Sequence, residues 1–256
     1  MIDIKNLEDH AEIYIYGVII DDTDASYLNL NEDSVGFVFP AKIREDLDKI
    51  GNKPINLHIA SDGGNVAAGV ALYNLLSAHN SPLTVYIDAW AASIASYLAF
   101  VGDKIVMPEN TFLMIHNPSG GAFGEAGYLR SVADWLDKLK MMIAGKYAEN
   151  SASTVEIFLD LMDKETWLTA NEAKEYFGDK IEIIPSNDIK AVACYSALKS
   201  APEALKKPVD VNIPTNEENA VKNDLQAVNE DIYNNIISVI QRSYDYEAKS
   251  RNVTED

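Results

Sequence analysis

The sequence predicts an α/β fold built on a mostly parallel β-sheet. Apolar segments typical of strands are separated by segments whose apolar residues recur at helical spacing. Hydrophobic residues make up 47% of the 256 residues, which is enough for a packed core. Strands that alternate with helices are joined by right-handed crossovers, which produce parallel neighbours. All 13 glycines lie at or before Gly178, so we expect a turn-rich domain followed by a different kind of tail.

The predicted elements follow in chain order. Strand patterns occur at residues 11–20, 54–60, 83–89, 104–107, 112–115 and 181–184. Helical patterns occur at residues 41–50, 65–79 and 125–150, and a short helix begins near residue 92. Thr154 and Thr169 are predicted to cap two further helices, and Glu172 completes a capping box with Thr169. Residues 21–40 have no clear period and are predicted to form a loop or a short hairpin.

The domain boundary is predicted near residue 185, with a turn-rich domain over residues 1–185 and an acidic tail over residues 186–256. Residues 206–218 are polar and contain proline, which is typical of a linker. Residues 228–246 place apolar side chains on one helical stripe. Such a helix packs on its own domain or on a neighbouring subunit, so we expect the tail to serve packing or docking.

Composition excludes several classes of function. The formal net charge is 21 − 40 = −19, which argues against nucleic acid or an anionic membrane as the main partner. Cys194 is the single cysteine, so no intramolecular disulfide can form. The first residues lack the features of a signal peptide. The most apolar stretch, residues 89–101, is shorter than the roughly 20 residues of a membrane span. It is predicted to be a buried core helix, and we expect a cytoplasmic protein.

Ser61-Asp62-Gly63-Gly64 lies between a predicted strand and a predicted helix. Two glycines allow backbone N–H groups to approach a ligand closely, and the helix start favours an anionic oxygen. The same pattern also fits a simple tight turn. The glycine spacing differs from both a P-loop and a dinucleotide-binding fingerprint.

Two further residues are candidates for chemistry. Ser93 stands at a strand-to-helix corner, where it could act as a nucleophile or merely cap the helix. His116 leaves an apolar strand for a glycine-rich loop, where it could act as a base or be structural. No two histidines have the spacing of a metal site.

Taken in this order, the segments resemble the Clp protease proteolytic subunit (ClpP) family of serine peptidases. The matching segments are the Gly-Gly turn, Ala-Ala-Ser-Ile around Ser93, Met-Ile-His-Asn-Pro around His116, and the later Glu-Thr-Trp-Leu-Thr-Ala-Asn-Glu-Ala. The resemblance covers residues 12–184 and is closest to the ClpP-related head maturation proteases of tailed bacteriophages. It implies a ClpP/crotonase-like fold of repeated ββα units, with residues 125–150 as the long handle helix and an extra C-terminal tail.

The resemblance also implies roles for individual residues. Ser93 matches the family's nucleophile and His116 its general base. Gly64 matches the second glycine of the turn, and with Ile94 it would supply the two N–H groups of an oxyanion hole. The third member of the triad falls on Glu165, where the family has an aspartate.

Some implications of the resemblance stay open. Asp163 and Asp160 are alternative acids, and Asp62 replaces the family's proline beside the glycines. The implied activity is that of a serine endopeptidase acting on protein or peptide chains, without a metal or organic cofactor.

The resemblance further implies homo-oligomers, as heptameric rings, in the host cytoplasm or a procapsid if the gene is viral. The 21–40 insert has no clear match in the members that work with an AAA+ unfoldase, so that partner is doubtful. The alternatives are a catalytically weak assembly or scaffold protein on the same fold, and a crotonase-type enzyme.

Overall fold

The computed structural model describes residues 2–30 and 36–186 of the chain. Cys194, the linker predicted at residues 206–218 and the helix predicted at residues 228–246 lie outside the described residues. The proposed boundary near residue 185 therefore stays a prediction.

Strands and helices alternate along the described part of the chain. The strands there are β1 (Ile2–Asn6), β2 (Ala11–Ile19), β3 (Phe37–Val38), β4 (Ile55–Gly64), β5 (Leu83–Ala92), β6 (Lys104–Pro108), β7 (Phe112–Ile115), β8 (Thr166–Thr169) and β9 (Ile181–Ile184). The α-helices there are α1 (Asp22–Tyr27), α2 (Pro40–Ile50), α3 (Val66–Ser77), α4 (Ile94–Ala99), α5 (Ala126–Glu149), α6 (Val155–Asp163) and α7 (Ala170–Phe177).

These strands form one sheet in the order β1-β2-β4-β5-β6-β9. Every neighbouring pair along this path except β1 with β2 is parallel. β3 pairs with β2, and β7 pairs in parallel with β5 and antiparallel with β8. The mostly parallel α/β sheet predicted from the sequence is therefore confirmed.

The core lies on one face of the central strands. Side chains with no exposed surface alternate along β2, β4 and β5, as expected when one face of a strand is buried: Ile13, Ile15, Leu57, Ile59, Val85 and Ile87. Leu72 and Leu76 of α3 belong to the same cluster. A Cβ on Gly69 would lie 2.3 Å from Ile94 Cγ1, so this glycine lets α3 pack directly on α4.

The prediction for residues 21–40 was wrong. Residues 22–27 form α1, because the Asp21 carboxylate caps its first turn by accepting from Asp24 N at 2.8 Å. Phe37 and Val38 then pair in parallel with β2 instead of closing a hairpin. Residues 31–35 lie outside the description.

Two boundaries around the glycine turn and Ser93 also differ from the predictions. β4 continues through Gly63 and Gly64, which pair with Val18 and Ile19 of β2. Residues 89–92 extend β5 instead of starting a helix, and α4 covers only Ile94–Ala99. Among the described helices none combines the length and apolar character that crossing a membrane requires.

The opposite face of the sheet carries a charged histidine cluster. The His58 ring on β4 stacks between Tyr14 of β2 and Tyr86 of β5, with centroid distances of 4.7 Å and 5.0 Å. Its Nε2 lies 2.7 Å from Glu12 Oε2, and its Nδ1 lies 2.9 Å from Asp88 Oδ2. A neutral imidazole has only one N–H. Two carboxylate contacts therefore favour the imidazolium form, which links three strands.

We expect this cluster to stabilise the fold in a pH-dependent way. Burial lowers the pKa of His58, but Asp88 and Glu12 outweigh burial and raise it above the ordinary value. The stabilisation is therefore complete below about pH 6.5, the ordinary histidine pKa, and is lost as the pH rises through the higher folded-state pKa. Urea unfolding should find His58→Gln less stable than the wild type by about 2 kcal/mol at pH 6, with a smaller difference at pH 9.

His79→Gln is the matched control, because His79 Nε2 contacts the Gly51 carbonyl oxygen and no ion pair of His79 with a carboxylate occurs among the side chains that the structure describes. Its effect on the free energy of unfolding should not shrink between pH 6 and pH 9. An effect of His58→Gln that is equal at the two pH values would contradict the imidazolium assignment.

Candidate active site

Ser93 occupies a strained corner between β5 and α4. Its backbone has φ 56° and ψ −129°, a conformation that costs a residue with a side chain about 1–3 kcal/mol. It stands at the N-cap position of α4, yet its side chain makes no capping hydrogen bond. The helix-capping alternative therefore does not describe this serine. Strained strand-to-helix corners expose the side chain, as in nucleophile elbows.

Gly63 makes this corner possible by close approach. A Cβ on Gly63 would lie 2.6 Å from the Ala92 carbonyl oxygen and 2.8 Å from Ser93 Cβ. Gly63 also has φ +88°, which other residues rarely adopt. The sequence predicted a role for Gly64 and not this contact of Gly63, although the paired glycines were the available signal.

His116 comes into contact with Ser93 through the register of β5 and β7. Ala92 pairs with Met114, and Ser93 N donates to the Met114 carbonyl oxygen at 2.9 Å. His116 follows directly after the end of β7. Its Nε2 lies 2.7 Å from Ser93 Oγ, which is a hydrogen-bond distance.

Glu165 reaches the other side of the same imidazole. Ile115 pairs with Thr166 in the antiparallel β7–β8 ladder, so the register continued by one residue places His116 opposite Glu165. Glu165 Oε2 lies 3.7 Å from His116 Nδ1. This distance is longer than a hydrogen bond, and the contact becomes an ion pair only when the imidazole is protonated. Glu165 also has a left-handed backbone, with φ 49°.

The environment keeps His116 neutral near pH 7. Burial lowers the pKa of the imidazole because it disfavours the charged form, and the Glu165 carboxylate offsets part of this effect. A neutral imidazole with its proton on Nδ1, toward Glu165, leaves Nε2 free to accept the Ser93 hydroxyl proton. The arrangement can therefore perform general-base chemistry on Ser93.

The two alternative acids pair with other groups. Asp163 Oδ1 accepts from Asn117 Nδ2 at 2.7 Å and from Lys140 Nζ at 2.5 Å. Asp160 pairs with Lys164 at the surface. The structure brings Ser93, His116 and Glu165 together, and it brings neither aspartate to the imidazole.

Ile94 and Gly64 flank the corner in different ways. Ile94 is the first residue of α4, where N–H groups have no partner within the helix. A Cβ on Gly63 would lie 3.1 Å from Ile94 N, so the amide borders the glycine turn. Gly64 instead backs onto β2, since its added Cβ would lie 2.1 Å from the Ile19 carbonyl oxygen.

Asp62 turns its carboxylate to Trp90 of β5. Trp90 Nε1 donates to Asp62 Oδ1 at 2.6 Å. Burial raises the pKa of Asp62, and the indole hydrogen bond acts in the opposite direction. The carboxylate that stands where the ClpP family has a proline thus has a hydrogen-bond donor in Trp90. Within residues 2–30 and 36–186, no group of three or more His, Cys, Asp or Glu side chains is arranged to hold a metal ion.

A family model and two related sequences identify the same family, the Clp proteases. The family model described as Clp protease matches residues 46–181, more than half of the chain. An ATP-dependent Clp protease proteolytic subunit of Chlorella vulgaris is 32% identical over 128 residues, which are 49% of this chain and 63% of that protein. The protein of the same name from Bacteroides fragilis is 35% identical over 127 residues, which are 48% of this chain and 61% of that protein. The chain thus matches about three fifths of these relatives' length.

A solved structure agrees with the fold. A ClpP1 mutant from Listeria monocytogenes superposes with a TM-score of 0.56 and 24% sequence identity, covering 69% of this chain and 92% of that chain. At this identity the likeness concerns the fold alone.

The contact between Glu165 and His116 predicts a specific titration. Glu165→Gln should lower the pKa of His116, because it removes the negative charge that stabilises the imidazolium. Asp163→Asn is the matched control and should leave that pKa unchanged, because its carboxylate binds Asn117 and Lys140. NMR titration of the histidine ring protons measures both, with His116→Gln to assign the resonance. A larger change in Asp163→Asn would move the acid to Asp163.

Proposed function

The chain belongs to the Clp protease family, and from this premise we propose that it is a serine endopeptidase acting through Ser93, His116 and Glu165. The observation that carries the proposal is the 2.7 Å contact between Ser93 Oγ and His116 Nε2. It occurs at a corner where the backbone of Ser93 is strained and its side chain does not cap the helix. Strain of this kind is typical of functional positions.

The proposed reaction has two halves. In the first, Ser93 Oγ attacks the peptide carbonyl carbon while His116 Nε2 takes the hydroxyl proton, and His116 then protonates the departing amine. The product is an acyl-enzyme ester. In the second, water attacks the ester while His116 Nε2 takes its proton, and His116 returns that proton to Ser93 Oγ as the ester bond breaks and the acid product leaves.

Glu165 holds the imidazole in the required tautomer. Its carboxylate accepts a hydrogen bond from Nδ1–H, without taking the proton, and stabilises the imidazolium that forms in each half. The 3.7 Å separation is compatible with this role, because catalytic hydrogen bonds are often long without substrate and shorten in the complex. Gly64 and Ile94 supply the proposed N–H groups for the oxyanion, and loss of one such donor costs about 3–4 kcal/mol in other enzymes.

Two other functions are possible on this fold. A crotonase-type enzyme needs no serine nucleophile, and the Ser93–His116 contact favours the peptidase over it. A catalytically weak assembly protein would be favoured by the replacements at Asp62 and Glu165. The Asp62–Trp90 hydrogen bond gives the first of these replacements a partner other than the active-site amides.

We propose that the substrate is a protein or peptide chain and that the protein works in the cytoplasm. Its place in the maturation of a viral head is supported by the resemblance to the ClpP-related head maturation proteases, which often carry a Glu-Thr-Trp segment, as at residues 165–167, and an extra tail, as at residues 186–256. The tail would then serve docking or assembly.

Assembly into homo-oligomers, as heptameric rings, is supported by the surface of α5. Tyr128, Trp135 and Met142 recur every seven residues and therefore lie on one side of this helix. Their exposed fractions are 52%, 58% and 38%. A stripe of large apolar side chains on a surface marks an interaction site, and we propose that α5 is the handle that joins subunits.

The nucleophile assignment is tested by covalent labelling. A fluorophosphonate probe should label the wild type on Ser93, located by mass spectrometry of the digested protein. Ser93→Ala should be unlabelled and should lower kcat on a peptide substrate by roughly 10⁴-fold or more. An unlabelled wild type, or equal labelling of Ser93→Ala, would refute the peptidase proposal.

The role of α5 is tested by sedimentation. Trp135→Glu should reduce the mass of the assembly, because it places a charge in the proposed contact. Ala133→Glu is the matched control, since residues two positions apart point about 200° apart on a helix. It introduces the same charge at an exposed position and should leave the mass unchanged. Equal masses for the wild type and Trp135→Glu would contradict the proposal.

A further inference from the structure

A buried hydrogen-bond chain connects α5 to the main chain of Ser93. Tyr147 Oη lies 2.9 Å from Ser96 Oγ, and Ser96 Oγ donates to the Ser93 carbonyl oxygen at 2.6 Å. The exposed fractions of Ser96 and Tyr147 are 0% and 1%. Both hydroxyls are therefore shielded from water. In the protein interior hydrogen bonds are electrostatically stronger than at the surface.

The direction of the chain follows from counting protons. A serine hydroxyl has one proton, and Ser96 donates it to the Ser93 carbonyl oxygen. Tyr147 must therefore be the donor to Ser96. Burial is the largest influence on the pKa of the Tyr147 phenol and raises it. The phenol thus keeps its proton at neutral pH, and the chain runs from Tyr147 through Ser96 to Ser93.

The last acceptor of this chain shares a peptide unit with Ile94 N–H. In a trans peptide the C=O and N–H groups point in opposite directions, so a donor that fixes the carbonyl also fixes the amide. Hydrogen bonds accepted by the carbonyl polarise the unit and strengthen its N–H as a donor. We propose that Ser96 and Tyr147 are positioning residues that hold the Ser93–Ile94 peptide and strengthen Ile94 N–H toward the oxyanion. This inference rests on the proposed peptidase function.

Packing fixes the hydroxyl of Tyr147 in place. Its ring is enclosed by Phe100, Phe158 and Phe177, with centroid distances of 5.5, 5.8 and 6.4 Å. The ring cannot turn away without disturbing this aromatic cluster. The last turns of α5 therefore set the position of the donor, and the geometry of the oxyanion site depends on a helix that contributes no group to the reaction.

Transition-state measurements test the proposal. Ser96→Ala and Tyr147→Phe should each lower kcat roughly fivefold to tenfold, the effect of one ordinary hydrogen bond, and leave KM nearly unchanged. A peptide boronic acid, which forms a tetrahedral adduct with the serine, should bind more weakly by the same factor. A variant that is only partly folded would also lose apparent kcat at unchanged KM, but its remaining active sites would bind the boronic acid as tightly as the wild type does, so the weakened inhibitor affinity distinguishes positioning from stability.

A double-mutant cycle tests whether the two hydroxyls act in series. Because Tyr147 acts through Ser96, Ser96→Ala combined with Tyr147→Phe should have the kcat of Ser96→Ala alone. Thr111→Val is the matched control: Thr111 is 2% exposed, and its hydroxyl donates to the Pro108 carbonyl oxygen at 2.8 Å. It removes a comparable buried hydrogen bond away from Ser93, and its kcat should equal that of the wild type.

The outcomes separate this inference from the function on which it rests. An active, labelled wild type with Tyr147→Phe equal to Thr111→Val in kcat would overturn the inference alone. Additive effects in the cycle would also overturn it. A wild type that neither turns over peptide nor reacts with the fluorophosphonate would overturn both. Thermal unfolding of each variant accompanies the kinetics, so that a folding defect is recognised as such.

Discussion

The double pairing of β7 is the constraint on which the site depends. This strand is parallel to β5 on one side and antiparallel to β8 on the other, so the ends of three strands meet at one place. Ser93, His116 and Glu165 are distant in sequence, and only this register makes them neighbours. Because successive side chains of a strand point to opposite faces, a slip by one residue would turn His116 away from Ser93. Burial of Leu113 and Ile115 against the core opposes such a slip.

The corner at Ser93 is maintained from several directions at once. Its N–H is held by Met114 and its carbonyl oxygen by Ser96, while Gly63 leaves room for its Cβ. Each contact removes a route by which the backbone could relax from φ 56°. Strained conformations persist where the surroundings determine them more than once. Favourable contacts around Ser93 thus offset the strain of the backbone conformation that presents its hydroxyl.

Local sequence was sufficient where an element carries its own signal. The capping box of Thr169 and Glu172 and the long helix α5 were both predicted and confirmed. Local sequence was insufficient where pairing with neighbouring strands determines the conformation. The small apolar residues 89–92 show no clear helical or strand period, and their hydrogen bonds with β4 and β7 place them in the sheet. β1 and β8, which have only five and four residues, were also not predicted. The resemblance to the ClpP family proposed Ser93, His116 and Glu165 and left two aspartates as alternative acids. The contact of Glu165 with the imidazole depends on the β7–β8 register, which local sequence does not reveal.

The left-handed backbone of Glu165 bears on which residues this position can accommodate. At φ 49°, aspartate and asparagine are found more often than glutamate, because their short polar side chains tolerate the left-handed region. An aspartate would relax the main chain but shorten the reach to the imidazole by one methylene. Glutamate brings its carboxylate to 3.7 Å from His116 Nδ1, and its backbone is strained in the left-handed conformation. A longer side chain at this position therefore comes with greater backbone strain. If β7 and β8 lay slightly closer together, an aspartate would reach the imidazole with less backbone strain.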